Sequence, residues 1–453
     1  MNPATPSAIR PDLDAMSLPV GFHRSSDERL QDALRSYSDE LGALEGLIAG
    51  KLDLLKCYDV AAMERVVAIC FWGRSGSHLL ASYLDGHDEL VLMPENRGEA
   101  IYEFWQKFPG LTLWEKLVAY PTFVLSKKWG PGADFFSGDY AIGAAHYYAA
   151  VHALFAVYGD RAAEWLGERR RFLQFAHVAY ALAAGRRVAG PRPLIIFAQH
   201  WPDEQVAQLF IEDFPEGRFI HTVRDPISTF DSWFNRQVDV QKTVRGNRLD
   251  LALRYVNPAT ETFRWLVLWD HSHAGMQART RALRFEDLHV ALEATMRRVA
   301  DWLGVAFRPS MLESTFNGVP FVWKSDGVAW VGANPANAQR RSQNLSKLDR
   351  WLMFALLRQN FMEWGYPMPR IFRFRVPCMF IVAGLLWLPM KIERVTARMI
   401  IGCQALPALH NGHIGFGCRA PYVLLKLRLL MMRMLAGETR TRLIRGKKIL
   451  QLL

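Results

Sequence analysis

Cysteine is scarce and scattered in this sequence. The five residues, Cys57, Cys70, Cys378, Cys403 and Cys418, are odd in number, far apart and form no Cys-x-x-Cys pair. That excludes a disulfide framework and a cysteine-based metal or redox centre, and reads as a reduced, cytosol-facing protein. A basic stretch followed by an apolar run is missing from the first residues, so they do not read as a secretory signal. No repeat of fixed period occurs, which excludes a solenoid. At 50% hydrophobic and 22% charged residues, the composition is neither disordered nor collagen-like.

An excess of one charge is also missing from most of the chain. The formal total of +11 invites a nucleic-acid reading. From Pro367 onward, however, 15 Lys or Arg stand against only Glu393 and Glu438, a local +13, which leaves the first 366 residues at −2. The pattern is a nearly neutral globular body with a basic, apolar tail, and nucleic acid is not expected as a partner.

Residues 1–24, rich in Pro and Ser, read as a loose arm. From Ser25 to about Glu64, Leu30, Leu34, Leu41, Leu44 and Leu47 recur at helical spacing and predict one or two packing helices. Between Arg97 and Arg187, Tyr148, Val151, His152 and Phe155 form the packing face of a further helix.

The chemistry is carried by strand ends. Arg65 to Trp72 is a β-forming apolar run that ends in Gly73-Arg74-Ser75-Gly76-Ser77-His78, after which Leu79, Leu80, Tyr83 and Leu84 take up helical spacing. Such a turn presents successive backbone N–H groups and a helix N-terminus to an anion, or is simply a short connection that carries Ser and Gly. It lacks the G-x-x-x-x-G-K-[ST] spacing and the lysine of a Walker A loop. Pro193 to His200 is a second strand with His200 at its carboxyl end, followed by a helical stretch, Asp203 to Phe214, and a third strand, Arg218 to Val223. That strand ends in Arg224-Asp225-Pro226, with Ser232 eight residues past the arginine, a pair able to close on one phosphate. Arg281 to Phe285 predicts a fourth strand, followed by Glu286-Asp287-Leu288 and a helix from Val290 to Leu303. Repeated strand–helix pairs predict an α/β fold, a P-loop-like parallel sheet flanked by helices.

Together these segments resemble the sulfotransferase family, from about Arg65 to Pro367. Gly73 to Leu79 resembles the family's 5′-phosphosulfate loop, and Arg224 to Phe234 its 3′-phosphate motif. Phe285-Glu-Asp-Leu is similar to a segment whose aromatic lies against the adenine, and Gln199-His200-Trp201-Pro202 to the element that supplies a catalytic histidine. Arg74 departs from the lysine of the cytosolic branch, His78 replaces a hydroxyl residue, and Arg340-Arg341 is the nearest basic counterpart of a late 3′-phosphate contact, or else a solvated loop.

The resemblance implies transfer of a sulfuryl group from 3′-phosphoadenosine 5′-phosphosulfate to an acceptor hydroxyl, with no metal. Gly73, Arg74 and the loop from Ser75 to His78 would hold the phosphosulfate, and Arg224, Ser232 and Phe285 the nucleotide. His200 is the preferred general base and Glu95 its competitor. A nucleotide kinase and a non-catalytic membrane adaptor are the alternative readings.

His271-x-His273 and His410-x-x-His413 lack partners in sequence for a metal site. Trp323 and Trp330 read either as a lid over the acceptor or as core. The expected organisation is an arm and helices over 1–64, a catalytic domain over 65–369 and a basic apolar tail over 370–453. In that tail Val376 to Met390 is uncharged but too short to span a bilayer, and Lys391, Arg394 and Arg398 share one helical face. These features predict either peripheral binding to an anionic membrane at its cytoplasmic face or packing on the domain.

Overall fold

Val66 to Cys70 is buried at every position, as a strand covered on both faces requires. In the computed structural model this run is strand β1 (Val66–Phe71). The structure describes residues 44–71, 75–120, 134–135, 142–162, 169–190, 192–199, 204–230, 232, 277–325, 328–338, 345–385, 388, 425, 428–429, 432–433, 435–445 and 450–453. The chain divides into two units, Met1–Phe71 with Ser77–Ile220 and Ala291–Ala333, and Trp72–Gly76 with His221–Val290 and Asn334–Leu453.

In the first unit β1 leads to α1 (Ser77–Leu84), β2 (Leu90–Arg97), α2 (Gly98–Lys107), α3 (Leu113–Tyr120), α4 (Ala144–Ala162) and α5 (Arg169–Ala183). Strand β3 (Leu194–Gln199), α6 (Glu204–Asp213) and β4 (Arg218–Val223) follow, and α7 (Leu292–Leu303) belongs here as well. Strand β3 lies between β2 and β1, parallel to both, with Val66 opposite Ile195 and Leu90 opposite Leu194, and β4 begins on the other side of β1. Parallel neighbours need crossover segments, and the intervening helices supply them. This is the parallel sheet flanked by helices that the strand–helix alternation predicted.

The core of this unit is aromatic. Tyr148 and Val151 are buried on α4, and the Trp114 ring of α3 meets Phe155 at 4.4 Å and His152 at 4.9 Å, so the expected packing face is the observed one. Every residue of α5 from Phe172 to Ala183 is buried, Gln174 and His177 included, so this part of the helix is enclosed on all sides. Its end is capped by the Lys51 ammonium, which donates to the Leu182 carbonyl at 2.8 Å, a cation where the helix dipole favours one. Lys116 on α3 is also enclosed. Its Nζ donates to the Leu111 carbonyl and stands 4.5 Å from the Trp105 ring centroid, and burial pulls its pKa down to about 8. Trp323 pairs with Trp330 in the backbone register of the antiparallel strands Val322–Ser325 and Val328–Val331.

In the second unit β4 continues through His221–Val223 beside β5 (Thr280–Arg284). Among the described residues this unit also holds the helices α8 (Lys347–Leu356), α9 (Arg358–Glu363) and α10 (Arg375–Leu385), besides the one-turn helices Asp287–Val290 and Pro335–Ala338 and the π-helical turn Thr439–Arg445. α8 starts on a reciprocal cap in which Ser346 accepts from the Asp349 amide and Asp349 accepts from the Ser346 amide. The described parts of the tail are built into this unit. Phe372, Cys378, Val382, Leu435, Leu443 and Leu450 are buried, and Arg442 donates to Asn360 at 3.0 Å and to Glu438 at 2.9 Å. Residues 451–453 run beside β5. The Ala282 amide donates to the Gln451 carbonyl at 2.8 Å, the Leu453 amide to the Ala282 carbonyl at 2.9 Å, and the buried Trp364 indole to the Leu450 carbonyl.

Candidate functional site

The end of β4 carries the arginine that the sequence singles out, and three local devices hold it. Asp225 caps the helical stretch that follows, accepting from the Ser228 amide at 2.7 Å, with Pro226 at the first helical position, where a missing N–H costs nothing. Ser232, half-buried, lies on that same helical stretch. The Arg224 guanidinium lies over the Phe285 ring, 4.5 Å from its centroid. The Phe285 amide donates to the Val223 carbonyl at 2.7 Å, which fixes the aromatic against the strand end.

Glu286 closes the arrangement from behind. One carboxylate oxygen accepts from the Asp225 amide at 2.9 Å and the other from the Tyr366 hydroxyl at 2.8 Å. Burial raises the Glu286 pKa above the ordinary carboxylate range, against the pull of these donors, and burial raises Asp225 as well. Tyr366 is pushed well above the usual phenol value by burial and by the neighbouring Glu286. Arg284 forks onto Asp287, with Nε 3.1 Å from Oδ1, and reaches the Trp364 carbonyl at 2.9 Å, so the end of β5 is fixed on both sides.

The loop after β1 meets this group through Ser75 and Gly76. The Ser75 and Thr222 hydroxyls are 2.8 Å apart and both are buried. Gly76 has φ +92°, a conformation that suits glycine, and a Cβ there would stand 2.3 Å from Cδ2 of Phe285. The Phe285 ring is further enclosed by His289, edge-on at 4.3 Å. His289 accepts from the Asn334 amide through Nδ1 at 2.8 Å, so its proton sits on Nε2, and burial together with Arg224 lowers its pKa to about 4. It is a neutral ring at physiological pH.

Of the residues marked in the sequence, the structure gathers Ser75, Gly76, Arg224 and Phe285 at one place, with Ser232 on the helical stretch that Asp225 caps. Ser77 is buried at the first position of α1 and His78 beside it is exposed. Gly73, Arg74, His200, Arg340 and Arg341 lie outside the described residues, and so do His271, His273, His410 and His413. Glu95 lies within β2, though its side chain is not among those described. Thr222, Glu286, His289 and Tyr366 were not singled out from the sequence. Tyr366 directly precedes Pro367, where the resemblance ends, and Glu286 follows Phe285 directly, but nothing local announces that the two meet.

Among the described residues, His87, Asp88 and Glu89 are close enough together to suggest a cation site. Their atoms are already engaged: the His87 ring meets the Ala306 carbonyl at 2.7 Å and the Glu89 amide at 3.0 Å, and Asp88 accepts from Arg308 at 3.3 Å.

The model of the sulfotransferase family matches residues 67–309. No curated protein is significantly similar to the chain. Among solved structures, the chain is similar to the sulfotransferase domain of the Synechococcus PCC 7002 olefin synthase, at 17% identity over 69% of this chain and 99% of that one, with a TM-score of 0.35. It is also similar to the sulfotransferase domain of the curacin biosynthetic pathway, at 16% identity over 71% and 98% of the two chains (TM-score 0.29). A third similarity is to a sulfotransferase from Mycobacterium avium, at 12% identity over 66% and 87% (TM-score 0.28).

Proposed function

The chain belongs to the sulfotransferase family, and we propose that it transfers a sulfuryl group from 3′-phosphoadenosine 5′-phosphosulfate to an acceptor hydroxyl by in-line displacement. The acceptor oxygen attacks sulfur, the bond from sulfur to the donor's bridging oxygen breaks, and adenosine 3′,5′-bisphosphate leaves. The acceptor proton passes to a general base. The nucleotide-kinase and adaptor readings give way to the family assignment.

The observation that carries the assignment of roles is the seat of Arg224, stacked on Phe285 with its flanking amide tied to Glu286. A guanidinium whose plane is fixed offers paired donors to one phosphate, and Arg224 with Ser232 binds the 3′-phosphate. Phe285 braces that arginine and the Gly76 turn at the base end of the nucleotide. Arg74 and the loop amides from Ser75 to His78 hold the phosphosulfate and stabilise charge on the bridging oxygen as the bond breaks. The Ser75 hydroxyl is turned to Thr222, so this residue contributes its amide. Arg340 and Arg341 supply further positive charge to the 3′-phosphate. His200 is the general base, with Glu95 the competing assignment.

The acceptor is a membrane-associated hydroxyl compound such as a glycolipid, lipid-linked sugar or polysaccharide. The tail over 370–453 holds the protein peripherally on an anionic surface at the cytoplasmic side. Among the described residues no helix is long and apolar enough to cross a membrane.

The test is transfer of labelled sulfate from the donor to a total lipid and polysaccharide extract, run beside titration with adenosine 3′,5′-bisphosphate and with ADP. Labelled product and tighter binding of the bisphosphate are expected. Equal affinity for the two nucleotides would sink the 3′-phosphate assignment.

A further inference from the structure

Helix α10 and the 3-10 turn Arg370–Arg373 before it are apolar on two opposite sides, whereas a helix on a protein surface is normally polar on its outer face. The inner side is satisfied. Phe372, Cys378 and Val382 are buried, and the Phe372 ring packs against Phe354 of α8 at 5.4 Å. The outer side carries Phe374, Val376 and Phe380 at 66%, 61% and 75% exposure, with Ile371 and Met379 exposed beside them. Arg375 donates to the Ile444 carbonyl, which brings a further exposed apolar side chain alongside.

Charge identifies the occupant. Arg370, Arg373 and Arg375 are exposed along the same short stretch, and no Asp or Glu occurs between Glu363 and Glu393. A second copy meeting this face through a two-fold axis would bring the same cations together with no acid in that stretch to match them. A layer of lipid phosphates supplies mobile negative charge beside an apolar interior and satisfies both features at once. At 11 residues α10 is about 16 Å long, roughly half of a hydrocarbon core, so it lies along the surface.

We propose that the outer face of α10 and its preceding turn is the docking surface for an anionic membrane, with Phe374, Val376 and Phe380 entering the boundary between headgroups and acyl chains and Arg370, Arg373 and Arg375 at the phosphates. This rests on the membrane-surface reading of the tail and narrows it from 84 residues to one face. Since α10 packs by its inner side on the second unit, the surface presents that unit in a fixed orientation to acceptors in the lipid.

The experiment is flotation of the full-length protein with vesicles of phosphatidylcholine alone or mixed with phosphatidylglycerol, for the native chain and for Phe374→Asp/Phe380→Asp. Both substituted positions are exposed, and a thermal shift on adding adenosine 3′,5′-bisphosphate reports that the variant is folded. The native protein is expected to float with the anionic vesicles only, and the double variant to bind about tenfold or more weakly, because two large apolar side chains no longer enter the lipid. A variant that floats like the native protein would overturn this face while leaving the membrane reading to other parts of the tail. A native protein that floats with neither vesicle overturns both. Elution as a dimer that the double variant abolishes would assign the face to a second copy and overturn the proposal, and none of these results bears on sulfuryl transfer itself.

Discussion

The guanidinium carbon of Arg224 lies 4.5 Å from the centroid of the Phe285 ring, which itself closes over the backbone of Gly76. Three segments far apart in sequence are thereby fixed by one aromatic side chain, and the position of the Arg224 guanidinium depends on all three.

Arg224→Lys keeps the charge but loses the planar stack and the paired donors. The expected result is a KM for the donor raised by roughly ten- to a hundredfold, with a melting temperature close to native, because the site is at a strand end rather than in the core. Steady-state kinetics at varied donor concentration checks it, and an unchanged KM would remove Arg224 from the nucleotide site.

Gly76→Ala places a methyl group 2.3 Å from Phe285, whose ring is confined by Arg224 and His289 and cannot swing away freely. Donor turnover should fall by about a hundredfold or more, since the loop must shift by an ångström or so. Adding Phe285→Ala clears the collision but not the backbone cost at φ +92°, about 1–3 kcal/mol. The double variant should therefore regain part of its melting temperature without regaining turnover. Native-like turnover in Gly76→Ala alone contradicts the close approach.

Tyr366→Phe removes the hydroxyl that Glu286 accepts from, at a cost of about 1–3 kcal/mol for a buried acceptor left short of a donor. The pH dependence has a definite sign. Glu286 is already raised by burial, so the folded state holds its proton more tightly than the unfolded state, and its charged form costs stability as pH rises through the raised value. Losing a donor raises it further. Melting curves should show a gap between native and variant that is wider at about pH 8 than at about pH 5. A gap that is constant or narrows with pH would mean that Glu286 is not the partner affected.

Lys116→Met tests a buried cation to which no chemistry is assigned. The native ammonium is disfavoured by burial, with its pKa down to about 8, so the folded protein is penalised while that lysine is charged and relieved as pH rises above about 8 towards the ordinary lysine range. Relative to Lys116→Met, the native protein should gain stability between about pH 7 and about pH 10. Parallel curves would show that the lysine reaches water.

His200→Ala is expected to lower turnover at saturating donor by about a hundredfold or more, the usual scale for a general base, and Glu95→Ala by much less. The reverse order would transfer the role to Glu95.

Strands β1, β3, β4 and β5 were legible because buried parallel strands leave continuous runs such as Val66 to Cys70 and Leu194 to Phe197, whereas β2 (Leu90–Arg97), whose apolar run breaks off at Pro94-Glu95-Asn96-Arg97, was not read from the sequence. Arg224 was legible because it stands at such an end. The support behind it was not. Glu286 and Tyr366 are 80 residues apart, and the Ser75 hydroxyl could have faced an anion as easily as Thr222, since only the fold decides. The apolar stretch from Val376 to Met390 gave a helix, described as far as Leu385, but an all-apolar sequence does not say which side is covered. The proposed base, the loop arginine Arg74 and Arg340-Arg341 rest on sequence resemblance.

The short run of residues 451–453 beside β5 has a consequence for how the protein is made. Ala282 and its partner Leu452 are 170 residues apart, so a ribosome adding about 5–20 residues per second produces β5 on the order of 10–30 s before the segment that covers its edge. During that interval an open row of amides and carbonyls is available to any neighbouring nascent chain. That edge closes only when residues 451–453 pair with it, so β5 is the exposed strand for the whole of that interval.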